Sequence, residues 1–400
     1  MLSAAIEHRR IEGALMPLTA SVSADAARPL QALSEELGAG PFALVLLFCS
    51  PQAQIGKIVA EAEVLFSGSV VAGCTTSGEL TRHGYSEGQI LAFAFPQEGF
   101  EVEPVLVSSL AREDARQIIE QITNRRQAMA LREGAGPNEF ALLLADGTNA
   151  QEDALLNTLS GGLGPVPVFG GSAGDGGAAG QTCLFLSGRL YQDAAILLLV
   201  RAHASFRMFS VDHLVPTGRR MVVTQADPAR RAVLRINDEP AAAEYARLLG
   251  VAEKDLCQFL FSINPVQVRV GGRYYVRSIR ECSEDGGLVF FSAIDRGLVL
   301  TLARPQNMVR HLEDELERLS QPAAPGLILA FDCIFRRIEV EGRQIMQPVS
   351  DLLRRYNVQG FSTYGEQFGA MHVNQTFTGI AFYSPLGRGP RGQGEEEERV

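Results

Sequence analysis

The chain has 400 residues, of which 46% are hydrophobic and 20% charged, and its formal net charge at pH 7 is −10. This length favours two domains, and the acidic balance disfavours nucleic acid, which binds to basic surfaces. No apolar run reaches the roughly 20 residues that span a bilayer and no secretion signal opens the chain, so we expect a cytoplasmic protein without a membrane partner.

The chain begins with a predicted approach segment, residues 1–40, that contains one helix at 27–37. Residues 41–226 and 227–385 form the two predicted domains. The tail, residues 386–400, combines glycines and arginines with four consecutive glutamates. We expect the tail to be disordered, because it cannot bury apolar surface.

A unit of strand, helix, strand, glycine turn and strand occurs three times in the chain. The first strands of the units are predicted at 42–49, 140–145 and 327–331, and the strands after the turns at 90–95, 182–186 and 377–382. A helix between two parallel strands forms a right-handed crossover. The sequence therefore predicts an α/β fold of two domains, in which mixed sheets are flanked by helices.

The glycine turns are similar to one another. Their sequences are Gly-Cys-Thr-Thr-Ser-Gly-Glu at 73–79, Gly-Gly-Ser-Ala-Gly-Asp at 170–175 and Gly-Phe-Ser-Thr-Tyr-Gly-Glu at 360–366. Glycine permits tight turns, and small hydroxyl side chains bond to exposed backbone amides. We expect the three turns to meet around one cavity between the two halves of the protein.

The segment between the second and third units changes in character. A strand predicted at 206–213 leads to a turn at 216–218, and a domain boundary is predicted near 227–235. A helix at 240–249 has proline at its first position, and a helix at 306–319 precedes the third unit. Strands joined by Gly-Gly turns dominate the region between these two helices.

These motifs, taken in order, resemble the FIST sensory family. The resemblance rests on the three glycine turns, on Ile-Asn-Asp-Glu-Pro-Ala at 236–241 and on the His-x-Asn-Gln-Thr sequence that begins at His372. It covers about residues 40–385 and includes both FIST N and FIST C domains. It implies a ligand-sensing input module whose output runs through a separate partner protein.

Three runs are similar to the haem-binding, nitric-oxide-sensing members of the family (NosP): residues 43–50, 210–224 and 364–383. This similarity implies haem b as cofactor and nitric oxide as ligand. It implies a sensor histidine kinase, or a diguanylate cyclase or phosphodiesterase of cyclic-di-GMP, as partner, and it is compatible with a homodimer. The family often has Gly-Trp-x-Pro-x-Gly where this chain has residues 213–218, which begin with His213.

Haem b needs an apolar slot and usually one axial imidazole. His213 is the first candidate for the iron ligand, and His372, which follows the third glycine turn, is the alternative. The apolar side chains expected along the wall of the pocket are Phe206, Phe209, Phe361, Phe368 and Met371. Such residues also occur as ordinary core.

A second hypothesis is a sensor of a small polar metabolite such as an amino acid. The turns would bind an amine or a carboxylate through backbone amides and polar side chains. The candidate residues are Gly78, Glu79, Gly174, Asp175, Tyr364, Gly365, Glu366 and Asn374. The alternative is that the acids cap nearby amides and the glycines only permit the turns.

A third hypothesis is a cysteine-dependent hydrolase with Cys74 as nucleophile. A nucleophile needs a base within hydrogen-bond reach and donors for an oxyanion. The sequence around Cys74 lacks a Gly-x-Ser-x-Gly elbow, and the other two turns have Gly171 and Phe361 at the equivalent position. We therefore do not expect an enzyme.

Overall fold

A computed structural model describes residues 15–108, 114–132, 136–148, 152–176 and 182–384. The predicted tail lies outside these ranges. The described residues form four β-sheets with helices packed on their faces. None of these helices is both long and apolar enough to cross a bilayer.

The first unit alternates strands and helices before its glycine turn. Its elements are β1 (Leu18–Ser23), α1 (Pro29–Leu37), β2 (Phe42–Cys49), α2 (Ile55–Leu65), β3 (Val70–Thr75), β4 (Glu79–Thr81), β5 (Gly84–Ser86) and β6 (Gln89–Pro96). The buried face of α2 consists of Ile58, Val59 and Ala62, as the apolar spacing predicts. The strand β1 was not predicted from the sequence.

The second unit repeats this order. Its elements are β7 (Phe100–Val107), α3 (Ala115–Ala130), β8 (Asn138–Ala145), α4 (Glu152–Leu163), β9 (Val168–Ser172), β10 (Leu184–Leu186), β11 (Arg189–Tyr191) and β12 (Ala195–Ala202). The predicted strand at 182–186 contains β10, which pairs with β3, while the strand that returns beside β8 is β12. A three-residue strand carries too little pattern to reveal its partner.

The third unit begins with β13 (Ser205–Val211) and is then interrupted by an inserted domain. The insert comprises β14 (Leu214–Asp227), β15 (Ala232–Ile236), β16 (Glu239–Pro240), α5 (Ala241–Leu249), α6 (Gln258–Ile263), β17 (Val266–Val270), β18 (Arg273–Arg277), β19 (Ile279–Cys282), β20 (Leu288–Phe290) and β21 (Val299–Pro305). The predicted turn at 216–218 was wrong, since these residues lie inside β14, where the register with β21 shifts as in a β-bulge.

The third unit resumes after the insert. Its remaining elements are α7 (Met308–Leu319), β22 (Leu327–Cys333), α8 (Ile334–Gly342), α9 (Met346–Arg355), β23 (Val358–Thr363), β24 (Glu366–Phe368), β25 (Met371–Val373) and β26 (Phe377–Tyr383). In each unit, the strands before and after the crossover helix or helices are parallel: β2 and β3, β8 and β9, and β22 and β23. The predicted α/β class with mixed sheets and repeated units is confirmed.

The three six-stranded sheets have the same architecture. Their strand orders are β1-β6-β2-β3-β10-β11, β7-β12-β8-β9-β24-β25 and β13-β26-β22-β23-β4-β5. In each sheet, the last two strands form a hairpin that another unit contributes. The hairpins are exchanged in a cycle: unit one supplies sheet three, unit three supplies sheet two, and unit two supplies sheet one. The three units therefore form one interlocked core.

The three glycine turns meet in this core. An amide of each turn donates to a carbonyl of another turn, Ser77 to Ser362 at 3.0 Å, Gly174 to Thr75 at 3.1 Å and Tyr364 to Ser172 at 3.2 Å. These bonds satisfy buried backbone groups at the ends of strands, where the sheet ladders no longer do so. Turns from remote parts of the chain thus lie at one place.

Aromatic side chains from all three units fill the space between the sheets. The ring of Phe48 lies 4.5 Å from that of Phe361 and 6.1 Å from that of Phe331, which lies 5.7 Å from that of Phe169. All four side chains are fully buried. Each contributes about 1.5–3 kcal/mol to stability by its burial.

Candidate functional site

The candidate site lies where the core meets the insert. The hairpin β24–β25 contributes His372 and, just after it, Asn374, while the start of α4 contributes Asp153. The insert contributes Arg231 and Arg277, and the charges of Asp153 and both arginines act on His372. We call these five residues the hairpin site. It lies beyond the carboxyl ends of β8 and β9, where open α/β sheets commonly bind ligands.

His372 is 1% exposed, and its Nδ1 has no hydrogen-bond partner among the described residues. Its Nε2 lies 3.4 Å from Nδ2 of Asn374. Burial lowers the pKa of His372 to about 4, against the carboxylate of Asp153, which raises it. The imidazole is therefore neutral at neutral pH, with one ring nitrogen available for a hydrogen bond.

The position of His372 depends on Gly365. A Cβ atom at Gly365 would lie 2.4 Å from Cε1 of His372, which is far inside van der Waals contact. The third glycine turn thus lets the hairpin fold its imidazole against the turn backbone, as only glycine permits.

Arg277 is 9% exposed and stands at the end of β18. Its Nη1 donates to the carbonyl of Val276 at 3.3 Å, but its Nε has no partner, and no ion pair joins it to any other described residue. Burial lowers the pKa of the Arg277 guanidinium, with Asp153 acting in the opposite direction. A buried guanidinium without a carboxylate partner is energetically costly.

Arg231 is equally buried but fully engaged. Its Nη2 donates to Oε2 of Glu152 at 2.7 Å, and its Nη1 donates to the carbonyl of Phe291. Burial raises the pKa of Glu152 to about 7, although Arg231 opposes this. Of the two arginines in the site, Arg277 is thus the one whose guanidinium has unpaired hydrogen-bond donors.

Two further hydrogen bonds join the insert to the core around the site. Ser292 donates through Oγ to Oδ1 of Asn374 at 2.7 Å, and the amide of Ala293 donates to Oδ2 of Asp153 at 3.3 Å. Ser278, next to Arg277, is buried and its Oγ has no partner among the described residues. The polar groups of the site therefore join the insert to the core, but some of their hydrogen-bonding atoms have no partner among the described residues.

The two turn glutamates are used inside the protein. Glu79 accepts from the hydroxyl of Thr76 at 2.5 Å and from the amide of Gln89 at 3.0 Å. Glu366 accepts from the hydroxyls of Thr363 and, at 2.7 Å, Thr376. Burial raises the pKa of Glu79 to about 7 and that of Glu366 to about 8. These contacts agree with the alternative in which the acids form hydrogen bonds with nearby amides and hydroxyls and stabilise the turns.

The other predicted ligand-binding residues face different sides of the turns. A Cβ at Gly78 would lie 1.6 Å from Nη1 of Arg337, so a guanidinium already covers this glycine. A Cβ at Gly174 would lie 2.0 Å from Oγ of Ser77. The Tyr364 hydroxyl donates to Asp175. Among the predicted residues, the structure brings His372, Asn374 and Gly365 together at the hairpin site.

His213 lies elsewhere, against α8, and is 1% exposed. Its Nε2 is 2.9 Å from Oε2 of Glu339, and its Nδ1 is 3.1 Å from Nη1 of Arg336. Because arginine only donates, Nδ1 accepts and Nε2–H donates to the carboxylate. Burial lowers the pKa of His213, against the hydrogen bond to Glu339. Both ring nitrogens are therefore occupied.

These surroundings do not fit haem b. An axial ligand needs a free ring nitrogen facing an apolar slot, and neither nitrogen of His213 is free. The charges of Asp153, Arg231 and Arg277 act on His372, so its surroundings are polar rather than an apolar slot. Of the predicted wall, Phe361 lies in the central core, and Phe368 packs against that core and pairs with Met371 across the hairpin.

The surface clefts lie away from the turns. Three open clefts measure about 490, 710 and 590 Å³, and they are lined by residues that include His203, Met308 and Tyr356 respectively. The hairpin site borders none of the three, and its polar groups are buried in this conformation. Cys74 is fully buried as well, and burial raises the pKa of its thiol well above the usual value, so a reactive thiolate is disfavoured.

Sequence reasoning missed Asp153, Arg231 and Arg277. The only local signal was an arginine at the end of β18, and an arginine at a strand end is common, as Arg273 at the other end of this strand shows. Nothing in the local pattern connects Arg277 with His372, almost 100 positions away.

Fold and site together define a protein with a repeated α/β core and a buried polar site at its junction with an inserted sheet. Comparison with protein families matches residues 43–239 to the FIST N domain and residues 241–369 to the FIST C domain. The chain belongs to the FIST family, whose domains are sensors in signal transduction. A search of curated proteins found no match.

Proposed function

We propose that this protein is a signalling sensor that binds a small polar metabolite at the hairpin site. One observation carries the proposal: Nδ1 of His372 and Nε of Arg277 are buried without hydrogen-bond partners among the described residues, at the junction of two parts of the chain. Folded proteins leave few buried polar groups unpaired, and each exception calls for an explanation. A ligand that bonds to these groups supplies one.

The location suggests how binding produces a signal. A ligand that contacts His372 on the core and Arg277 on the insert stabilises the arrangement in which both contacts form. The signal is then the altered position of the insert, which a partner protein reads. Haem b, nitric oxide, a homodimer and the kinase or cyclic-di-GMP enzyme implied by the resemblance stay predictions.

The test is a thermal-unfolding screen of the full chain against single amino acids, small carboxylic acids and haem. We expect a polar metabolite to raise the unfolding temperature, and His372→Ala to abolish that rise. His83→Ala, at an exposed histidine in a hairpin of the core, is the matched control and should respond like the native protein.

Two results would overturn the proposal. One is a ligand response that survives in His372→Ala. The other is a sharp Soret band with added haem that shifts with nitric oxide and disappears in His213→Ala, because that result assigns the sensor function to the other histidine.

A further inference from the structure

We infer that the ligand carries a carboxylate and that one edge of Arg277 binds it. This inference rests on the proposed function and specifies the ligand that the hairpin site takes. It depends on which atoms of the site lack partners and on whether those atoms donate or accept hydrogen bonds.

The free edge of Arg277 has the geometry of a carboxylate receptor. Nη1 donates to the carbonyl of Val276, while neither Nε nor Nη2 forms a hydrogen bond to a described residue. Nε–H and the adjacent Nη2–H point in parallel. Two parallel donors match the two oxygens of a planar carboxylate in a bidentate pair.

The unpaired atom of His372 is a donor as well. Oδ1 of Asn374 accepts from Ser292, which orients the amide so that its Nδ2 faces Nε2 of His372. Nε2 therefore accepts, and the proton of the neutral ring resides on Nδ1. Together with Arg277, the site therefore offers donors that need an acceptor-rich group.

The charges in the site select the same class of ligand. Asp153 is the acidic group that acts on Arg277, but it does not form an ion pair with it, and Glu152 is engaged with Arg231. His372 is neutral, and no described carboxylate forms an ion pair with Arg277. An anion would give the guanidinium a direct partner, while an ammonium group would be repelled by both arginines.

The probes are sodium acetate, its uncharged isostere acetamide, inorganic phosphate and ethylammonium, all at equal ionic strength. The readout is the unfolding temperature of the full chain as a function of probe concentration. We expect acetate to stabilise the protein and the other three not to do so. Arg277→Lys, which keeps the charge and loses the parallel donors, should weaken acetate binding at least about tenfold.

Arg277→Met separates a binding role from a structural one. A methionine removes a buried charge that forms no ion pair with a described residue, so the variant without ligand should unfold at the same temperature as the native chain or higher. It should not respond to acetate. Arg273→Met, at an exposed arginine on the same strand, is the matched control and should keep the acetate response.

Different failures have different meanings. Stabilisation by phosphate but not acetate overturns the carboxylate assignment and leaves the proposed function standing. Stabilisation by acetamide or ethylammonium that persists in Arg277→Met and is lost in His372→Ala has the same meaning: the ligand is not a carboxylate, but it binds at the hairpin site. An acetate response that is unchanged in Arg277→Met and in His372→Ala overturns this inference and the proposed function together.

Discussion

His213 stands where the chain passes between the core and the insert. Its backbone carbonyl accepts from the amide of Gln306, which lies on the return path from insert to core, at 2.7 Å. Its ring is held by Glu339 and Arg336 of α8. At the scale of the residue, this histidine therefore connects α8 to both segments that link the core with the insert.

Removal of this ring should destabilise the protein. His213→Ala leaves Glu339 and Arg336 buried without one of their partners, so we expect a loss of about 3 kcal/mol in the free energy of unfolding, measured by urea denaturation. His83→Ala should change it by less than about 0.5 kcal/mol. Equal stability of the two variants would show that the buried network contributes little.

Glu366 predicts a specific dependence of stability on pH. Its pKa in the folded protein is raised to about 8, whereas it is near 4.5 in the unfolded chain. The unfolded state therefore binds fewer protons between these values, and this group's contribution to stability is lost as pH rises from about 5 through 8.

Glu366→Gln removes this titration and keeps a neutral group in the same place. Compared with the native protein, the variant should lose less stability between pH 5 and pH 9 in urea denaturation. Glu98→Gln, at an exposed position, should follow the native curve. Parallel pH profiles for Glu366→Gln and the native protein would contradict the raised pKa.

At the scale of the element, the repeated unit could be predicted but the exchange of hairpins could not. The long strands β2 and β26 show their buried character through runs of apolar residues, and both were predicted within a residue of their bounds. The strands β4, β10 and β24 have only three residues each. So few positions cannot specify which sheet they join, because that choice is made by tertiary contacts.

The third turn gives a test of this packing. Gly365→Ala places a methyl group against the ring of His372 and should cost about 2 kcal/mol of stability, because the imidazole has to move. The same change should reduce the response to a stabilising metabolite.

Gly56→Ala in α2 is the matched control, because a Cβ there meets no atom within 4 Å and alanine favours a helix. It should be neutral or slightly stabilising. Similar effects of the two substitutions on urea denaturation would contradict the close approach of turn and imidazole.

At the scale of the whole molecule, the candidate site could be predicted in part. Gly365, His372 and Asn374 lie within ten residues of one another and share one motif. Asp153, Arg231 and Arg277 are remote from that motif and from one another. They meet it because the interlocked core positions α4 beside β25, and because the insert leaves the core at β14 and returns after β21.

The central claim is that one ligand joins the core and the insert. Hydrogen–deuterium exchange tests it most directly, with the metabolite that gives the largest rise in unfolding temperature. The account predicts slower exchange in two separate segments at once, residues 273–278 on the insert and residues 371–374 on the core. Protection of only one of these segments, or protection confined to the surroundings of His213, would contradict it.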